Sequence, residues 1–412
     1  MFRVVLVLRR LSRTLWFRVA LFAALAIVAV VGAHLSARFV PDQFARLIGP
    51  EAVLPVLTIV ASSMLAVSTF SLGIMVSAHR AAAQSATPRI MALLTADTST
   101  QNVMAVFIGA FVYALTALIL FHAGLVAGAL VVLGITLAVV GAVVLALIRW
   151  IGHLTRLGTV DDALDRAEVV ARKALAAHRA QSALGGQPLT EDTVVPANAE
   201  TLFAPRSGHL QAIDVAGVAA CSNGPVWILK RPGQTVLEGT ALARVMPGTN
   251  HAAVAGCFVI GRSASFDQAP LFPLRILSEI ASRALSPGIN DAGTACDVLD
   301  RLERLLWGWG RHAIMPAECI HPTVFVRAVT ASEMVETAFQ ATARDGAGVI
   351  EVVMRLRNAL GALTGSPDDA LSEAARAMLL RVNAYAEQAL PVPDERATLL
   401  NMPQRPEQAR PD

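Results

Sequence analysis

The chain has 412 residues, of which 55% are hydrophobic and 16% are charged, and its formal net charge at pH 7 is +3. A mean hydropathy of +0.56 is too high for an ordinary soluble protein, although Ile151 to Asp412 carries charge at a normal globular density. The balanced charge, without a basic stripe interleaved with aromatic residues, argues against nucleic acid as a partner.

Four uncharged apolar runs lie in the first third of the chain. They are Val19 to Ala37, Ala52 to Ala78, Val103 to Phe121 and Ala123 to Ile148. Each approaches or exceeds the roughly 20 residues that a helix needs to cross the hydrocarbon core of a bilayer. We therefore predict a membrane domain over residues 1–158, with the lipid bilayer as its partner. Its four transmembrane helices are predicted at about 17–37, 52–80, 102–121 and 124–150.

The arginines predict the orientation of these helices. They are concentrated before the first run, between the second and third, and after the fourth, whereas the opposite side has only Arg38 and Arg46, diluted by Asp42 and Glu51. The positive-inside rule then places both termini in the cytoplasm. A signal-peptidase site at Val31-Gly32-Ala33 is disfavoured, because the apolar run continues past it.

The second run carries a stripe of small and hydroxyl-bearing residues close to the helical period. Its members are Thr58, Ser62, Thr69, Gly73 and Ser77, with Ser63, Ser68 and Ser71 beside them. One interpretation is helix packing, because small residues let backbones approach and hydroxyls bond to carbonyls. The other is the lining of a water-filled path. None of the four runs contains Asp, Glu, Lys or Arg, which argues against a proton relay or a voltage sensor.

Two further features belong to the membrane domain. The connection from His79 to Gln101 is predicted to extend the second helix, break at Thr87-Pro88 and return as a short helix, forming an elbow. The fourth run carries a pattern of small residues, in two groups at four-residue steps, that favours close packing against another helix of the same chain or of a second subunit, and we predict a homo-oligomer. That pattern is Gly124, Gly128, Gly134, Ala138 and Ala142.

The rest of the chain is predicted to be an α+β body in the cytoplasm. A juxtamembrane helix over 159–183 and a linker over 184–199 lead to a small β module over 200–262. The segment Pro232 to Val245 resembles the strand and turn pattern of barrel-sandwich hybrid domains, the fold of biotinyl and lipoyl carriers. Those carriers need a modifiable lysine on the following hairpin, where this chain has Met246 to Asn250, so a β sandwich-like module used for contacts is expected. A helical domain over 263–390, a bundle, and a disordered tail over 391–412 complete the prediction.

The densest candidate site lies between Gly261 and Ala295, where one predicted helix ends and the next begins. Its residues are Arg262, Arg275, Arg283, Ser286, Asn290, Asp291 and Thr294. One interpretation is anion binding at the exposed amides of the second helix. Another is a metal site formed by Asp267, Asp291 and Asp297. The third is a structural corner in which Arg and Asp side chains fix loop backbone.

The sequence contains no recognised catalytic motif. Nucleophile elbows, phosphate-binding glycine loops with lysine and H-E-x-x-H are all absent, so neither a catalytic residue nor a cofactor is predicted. The four cysteines form no C-x-x-C and are expected to be buried free thiols. They are Cys221, Cys257, Cys296 and Cys319.

The string from Arg283 to Asp291, followed by Thr294-Ala295, resembles the signature of a bacterial family of predicted membrane proteins known as domain of unknown function twenty-two fifty-four. Other parts of the chain are similar to that family in the same order. They are Ser62-Ser63-Met64, Gln84 to Arg89, Phe107 to Tyr113 and Phe258 to Arg262. The chain departs from the family at Ala292, where a proline is common, and at Ala86-Thr87, where Phe-Ser is common. The resemblance implies a four-span membrane protein with a cytoplasmic body, and no established activity.

Three functions agree with these features. The first is an oligomeric channel or transport protein in which the second helix lines a path and the body gates it. The second is a membrane-tethered sensor or scaffold, in which the body binds a partner or an anionic ligand. The third is a membrane-bound hydrolase with a metal at the acidic residues.

Overall fold

The computed structural model describes residues 15–36, 49–85, 89, 98–123, 129–154, 158–265, 268–311 and 319–401. The chain divides into two compact units. The first unit comprises Met1–Ser85 and Met91–Ala163, and the second, here called the body, comprises Ala86–Ile90 and Leu164–Asp412.

The first unit consists of apolar helices. They are α1 (Leu15–Ser36), α2 (Pro50–Ser85), α3 (Thr98–His122), α4 (Ala129–Leu154) and the first residues of α5 (Val160–Ala180). Among the described residues, three of these helices are long and apolar enough to cross a membrane, in the stretches Glu51–Ala81, Thr100–His122 and Ala129–Leu154. The apolar part of α1 is shorter, at Val19–Ala29. Three of the four expected spans are thus supported by length and composition, and the first stays a prediction.

The helices of the first unit pack through large apolar side chains and one close backbone approach. Leu57, Phe107 and Trp150 lie in its core. A Cβ added at Gly109 would lie 3.2 Å from the Cβ of Phe22, so the glycine lets α3 approach α1 closely.

The described part of the body contains eight short strands in two sheets. The strands are β1 (Gly186–Pro188), β2 (Glu200–Phe203), β3 (Gly208–Ile213), β4 (Val226–Ile228), β5 (Thr235–Val236), β6 (Ala241–Val245), β7 (Phe258–Gly261) and β8 (His321–Val326). One sheet has the order β1-β8-β4-β6-β2, and the other has the order β5-β3-β7. Buried side chains from both sheets, such as Leu210 and Ile260 from one and Ile228 and Val324 from the other, belong to one apolar cluster. The β module therefore has a core of its own, whereas its likeness to a barrel-sandwich hybrid stays a prediction.

Two of the strands come from outside the predicted β module. Strand β8 pairs in parallel with β4 and with β1, and Phe325 stacks on Trp227 with ring centroids 6.0 Å apart. The sequence analysis assigned β1 to a linker and β8 to the helical domain. Both are short, and β8 contains Pro322 and finds its partner Val226 almost a hundred residues away, so no local pattern announces the pairing.

Helices make up the remainder of the body. Two short ones, α6 (Val215–Cys221) and α7 (His251–Gly256), connect strands; the longer ones are α8 (Leu271–Ala284), α9 (Ala292–Arg311), α10 (Ala331–Asp345), α11 (Ile350–Leu363) and α12 (Asp369–Ala389). Each of the longer helices buries an apolar face. The Thr330 side chain and Glu333 form a capping box at the start of α10, which fixes where that helix begins.

The predicted disordered tail contains a further helix, α13 (Pro393–Asn401). Pro393 occupies its first position, and Asp394 and Glu395 lie in its first turn, where their charges favour helix formation. The structure thus describes a helix at the start of this tail, and disorder of the tail stays a prediction. Residues 402–412 lie outside the described part of the chain.

Candidate functional site

The polar stripe lies on the exposed face of α2. Its members Thr58, Ser62, Thr69, Gly73 and Ser77 are all exposed in the first unit. The hydroxyl of Thr58 donates to the carbonyl of Leu54 at 2.9 Å, and that of Ser62 donates to the carbonyl of Thr58 at the same distance. The Thr69 hydroxyl bonds to its own helix in the same way. These three hydroxyls are therefore satisfied without a partner helix.

The opposite face of α2 forms part of the core. Val53, Leu57 and Met64 are buried there. Ser68 and Ser71 are also buried, at 8% and 1% exposure, and their hydroxyls have no hydrogen-bond partner among the described residues. These two serines, which the sequence analysis placed beside the stripe, thus belong to the packed side of the helix.

The stripe is also exposed at Gly73. A Cβ added there would meet no atom within 4 Å, and the same holds for Gly134 on α4, where Ala138 and Ala142 are exposed as well. No described residue of the chain therefore covers either small-residue face at these two glycines. Gly124 and Gly128, which open the pattern on the fourth run, lie outside the described residues.

Arg89 follows the last residue of α2 by four positions and is grouped with the body by its contacts. Its guanidinium forms an ion pair with Glu279 on α8. Both residues belong to the body, so this contact is internal to it, and the break predicted at Thr87-Pro88 lies outside the described residues.

The structure brings together four of the predicted site residues at the junction of α8 and α9. The backbone N–H of Asn290 donates to the carbonyl of Ser286 at 2.9 Å, and Asn290 has a φ of 51°, which asparagine tolerates better than most residues. The Asp291 carboxylate accepts from the hydroxyl of Thr294 at 2.5 Å and from its backbone N–H at 2.9 Å. Asp291 therefore caps α9 with its own negative charge.

This capping is reflected in the titration of Asp291. The hydroxyl of Thr294, and then its backbone N–H, hold the pKa of that carboxyl below its usual value. Because a carboxylate of the chain already lies at the start of α9, the geometry favours the structural interpretation of the corner. The Ser286 hydroxyl also has a partner within the corner, since it donates to the carbonyl of Arg283 at 2.6 Å.

The predicted arginines do not form one cluster with these residues. Arg262 and Arg275 are exposed, Arg283 is half-buried, and Arg275 lies more than two helical turns before the corner. Anion binding at the corner by these side chains stays a prediction.

The acidic residues of the alternative metal site have separate partners. Asp297 accepts from the Nε of Arg301 at 3.1 Å, Asp291 caps its helix, and Asp267 lies outside the described residues. Within the described ranges no group of three His, Cys, Asp or Glu side chains is placed to hold a metal ion.

The cysteines are free but not fully buried. Cys221, Cys257 and Cys296 are half-buried and Cys319 is exposed, so the expectation of burial is wrong for Cys319. Burial, followed by the charge of Asp300, raises the pKa of Cys296. A raised pKa lowers the thiolate fraction and argues against a nucleophilic role.

A basic cavity of about 330 Å³ in the body was not predicted. The turn after β4 and the start of α8 form most of its lining, which includes Lys230, Arg231, Gln234 and Arg275. Its two halves are about forty residues apart in sequence, so only the folded chain shows them together. The one local signal was that Lys230, one of two lysines in the chain, directly precedes the Arg231-Pro232-Gly233 turn.

Arg231 holds the wall of this cavity in place. Its guanidinium donates to both carboxylate oxygens of Glu333, at 2.8 and 2.6 Å, and to the carbonyl of Ala328 at 3.3 Å. Burial raises the pKa of Glu333, but the bonds from Arg231 and from the Thr330 backbone outweigh it, and the pKa lies below its usual value. The pair joins the strand side of the cavity to α10.

The apolar helices and the mixed α/β body define a membrane protein with a large second unit. The chain belongs to the family described as Predicted membrane protein (DUF2254), whose model matches residues 12–362. An uncharacterized protein of Mycobacterium bovis is 27% identical over 263 residues, which cover 60% of this chain and 50% of that protein. An uncharacterized protein of Mycobacterium tuberculosis is similar to the same extent. The chain thus spans about half the length of the curated relatives that it matches, and no solved structure matches it.

Proposed function

We propose that the protein is an oligomeric channel or transport protein of the bacterial inner membrane, with both termini in the cytoplasm. The observation that carries the proposal is the exposure of the whole stripe from Thr58 to Ser77 on the face of α2 that points away from the core. In a homo-oligomer this face can meet its copies around a common axis and present hydroxyls to water. Packing between subunits alone would use the same face, and the experiment below separates the two.

Gating by the body is the second part of the proposal. The ion pair between Arg89 and Glu279 ties the residue just beyond α2 to α8 of the body. A movement of α8 would therefore act on the end of the helix that carries the stripe. This coupling is inferred from connectivity and from that one contact.

The test is solute and ion flux through liposomes that contain the purified protein, with and without membrane tension. Gly73→Leu adds a side chain where nothing lies within 4 Å in one chain, so the subunit should fold and the flux should fall to that of protein-free liposomes. Phe70→Leu is the matched control, because Phe70 is exposed on the same helix outside the stripe. Unchanged flux in Gly73→Leu, a monomer in detergent, or no flux in any condition would contradict the proposal.

A sensor or scaffold is the second candidate function. It is favoured by the basic cavity, which gives the body a place for an anionic ligand that the capped corner lacks. In that case the protein would bind its ligand and show no flux of any solute.

A further inference from the structure

The basic cavity has an excess of positive charge. Lys230, Arg231 and Arg275 line it, and none of its described lining residues is acidic. Arg231 is neutralised by Glu333 outside the lining. Lys230 and Arg275 have no ion-pair partner in the part of the chain that the structure describes. Two positive charges thus remain at the cavity for a ligand.

The shape of the cavity is fixed by close packing between its two walls. Gly233 has a φ of 93°, and a Cβ added there would lie 3.0 Å from the Cβ of Ala269. The glycine is therefore required both for the turn and for its approach to the start of α8. Buried Pro232 and Pro270 further restrict the backbone on either side. A cavity with rigid walls loses little conformational entropy when a ligand enters.

The start of α8 adds to the positive potential. Among the described residues no side chain caps this helix, and its first turn contains no acidic residue. At the start of α9, in contrast, Asp291 supplies a capping carboxylate. The partial positive charge of the α8 terminus therefore acts in the same direction as Lys230 and Arg275.

We infer that the basic cavity binds a small anion through a phosphate group. Arg275 can donate two parallel hydrogen bonds to phosphate oxygens, and Lys230 supplies a compact second charge. The cavity volume of about 330 Å³ lies at the small end of the range for ligand pockets, which suits a small phosphorylated molecule or a lipid headgroup. The inference deepens the sensor candidate and does not depend on transport.

Titration calorimetry of the full chain in phosphatidylcholine nanodiscs tests the inference, with inorganic phosphate and phenyl phosphate as probes. Arg275→Gln and Lys230→Gln should each weaken binding by about tenfold or more, because each removes a charge-assisted hydrogen bond. Arg376→Gln is the matched control, since Arg376 is exposed on α12 outside the cavity, and it should bind as the unchanged protein does. Circular dichroism and melting temperature verify that the variants fold.

A second set of nanodiscs containing phosphatidylglycerol separates the two sources of phosphate. If a lipid headgroup is the ligand, phosphatidylglycerol should displace the soluble probes and raise the melting temperature, and both effects should disappear in Arg275→Gln. If the ligand is soluble, probe affinity should be the same in both kinds of disc.

Three results would overturn the inference. The first is no binding of either probe together with no effect of phosphatidylglycerol. The second is binding that Arg275→Gln and Lys230→Gln leave unchanged. The third is binding seen only after Asp267→Asn, which would mean that this carboxylate of the chain itself neutralises the cavity.

Discussion

His178 on α5 is a buried histidine whose charge depends on the fold of the body. Its Nε2 lies 3.2 Å from the carbonyl of Val329, to which it donates. Burial lowers the pKa of His178 from its ordinary value of 6.5. The hydrogen bond to Val329 raises this pKa, but the positive charges of Arg231 and Arg179 lower it further, and the net shift is downward. The folded chain therefore holds this ring neutral at a pH where the unfolded chain protonates it.

The sign of the pH effect follows from that difference. Below pH 6.5 the unfolded chain binds more protons than the folded chain, so stability should fall as the pH falls from 6.5 towards the lowered pKa of His178. Melting temperatures measured between about pH 5 and 8 should show this loss. Glu333 contributes at lower pH, since its pKa lies below the ordinary 4.5.

The test variant is His178→Gln. Glutamine at 178 can still donate to the carbonyl of Val329 but cannot titrate, so the loss of stability between pH 6.5 and 5 should become smaller. A pH profile unchanged by His178→Gln would contradict the assignment.

At the scale of elements, α5 is attached to α9 through Arg301. The guanidinium is 12% exposed and contacts Asp165 at 2.7 Å, Glu168 at 3.1 Å and Asp297 at 3.1 Å. Arg301→Ala would leave Glu168, whose side chain is also 12% exposed, paired only with the more exposed Arg172 and Arg304, at 2.6 and 3.4 Å. We expect it to lower the free energy of unfolding by about 2 to 3 kcal/mol, at or below the lower end for a buried pair, because Arg172 still pairs with Glu168.

Arg304→Ala is the control for this network. Arg304 contacts Glu168 at 3.4 Å, but its side chain is 56% exposed, so its loss should cost less than about 1 kcal/mol. Chemical denaturation of the full chain in detergent measures the free energy of unfolding of both variants. Equal losses in the two variants would show that burial does not set the strength of this network.

The elements also show why some of the fold can be predicted from the sequence. The apolar face of α5, with Leu164, Ala167 and Leu175 buried, repeats at the helical period and is visible locally. The partners of β8 are not visible, because its pairing with Val226 depends on contacts across most of the body. For the same reason the stripe on α2 can be predicted from the sequence, because a single helix contains it. The basic cavity cannot be predicted in this way, because the turn after β4 and α8 form it together.

At the scale of the whole molecule, the number of spans decides where the first residues lie. The helices α2, α3 and α4 are long and apolar enough to cross, and if the body is cytoplasmic then α2 begins on the outer side. The described apolar part of α1 is shorter, at Val19–Ala29. If α1 crosses, the two termini lie on the same side of the membrane; if it does not, they lie on opposite sides.

Labelling of intact cells with a membrane-impermeant maleimide distinguishes these topologies. Gln43→Cys, between α1 and α2, should react in either case, and the exposed native Cys319 should react only after lysis. We expect Ser12→Cys to behave like Cys319, because the positive-inside rule predicts from the arginines around it that the start of the chain lies in the cytoplasm. Labelling of Ser12→Cys in intact cells would mean that α1 does not cross the membrane and that three helices do. It would also contradict the orientation of the N-terminus predicted from the arginines, while the body would keep its place.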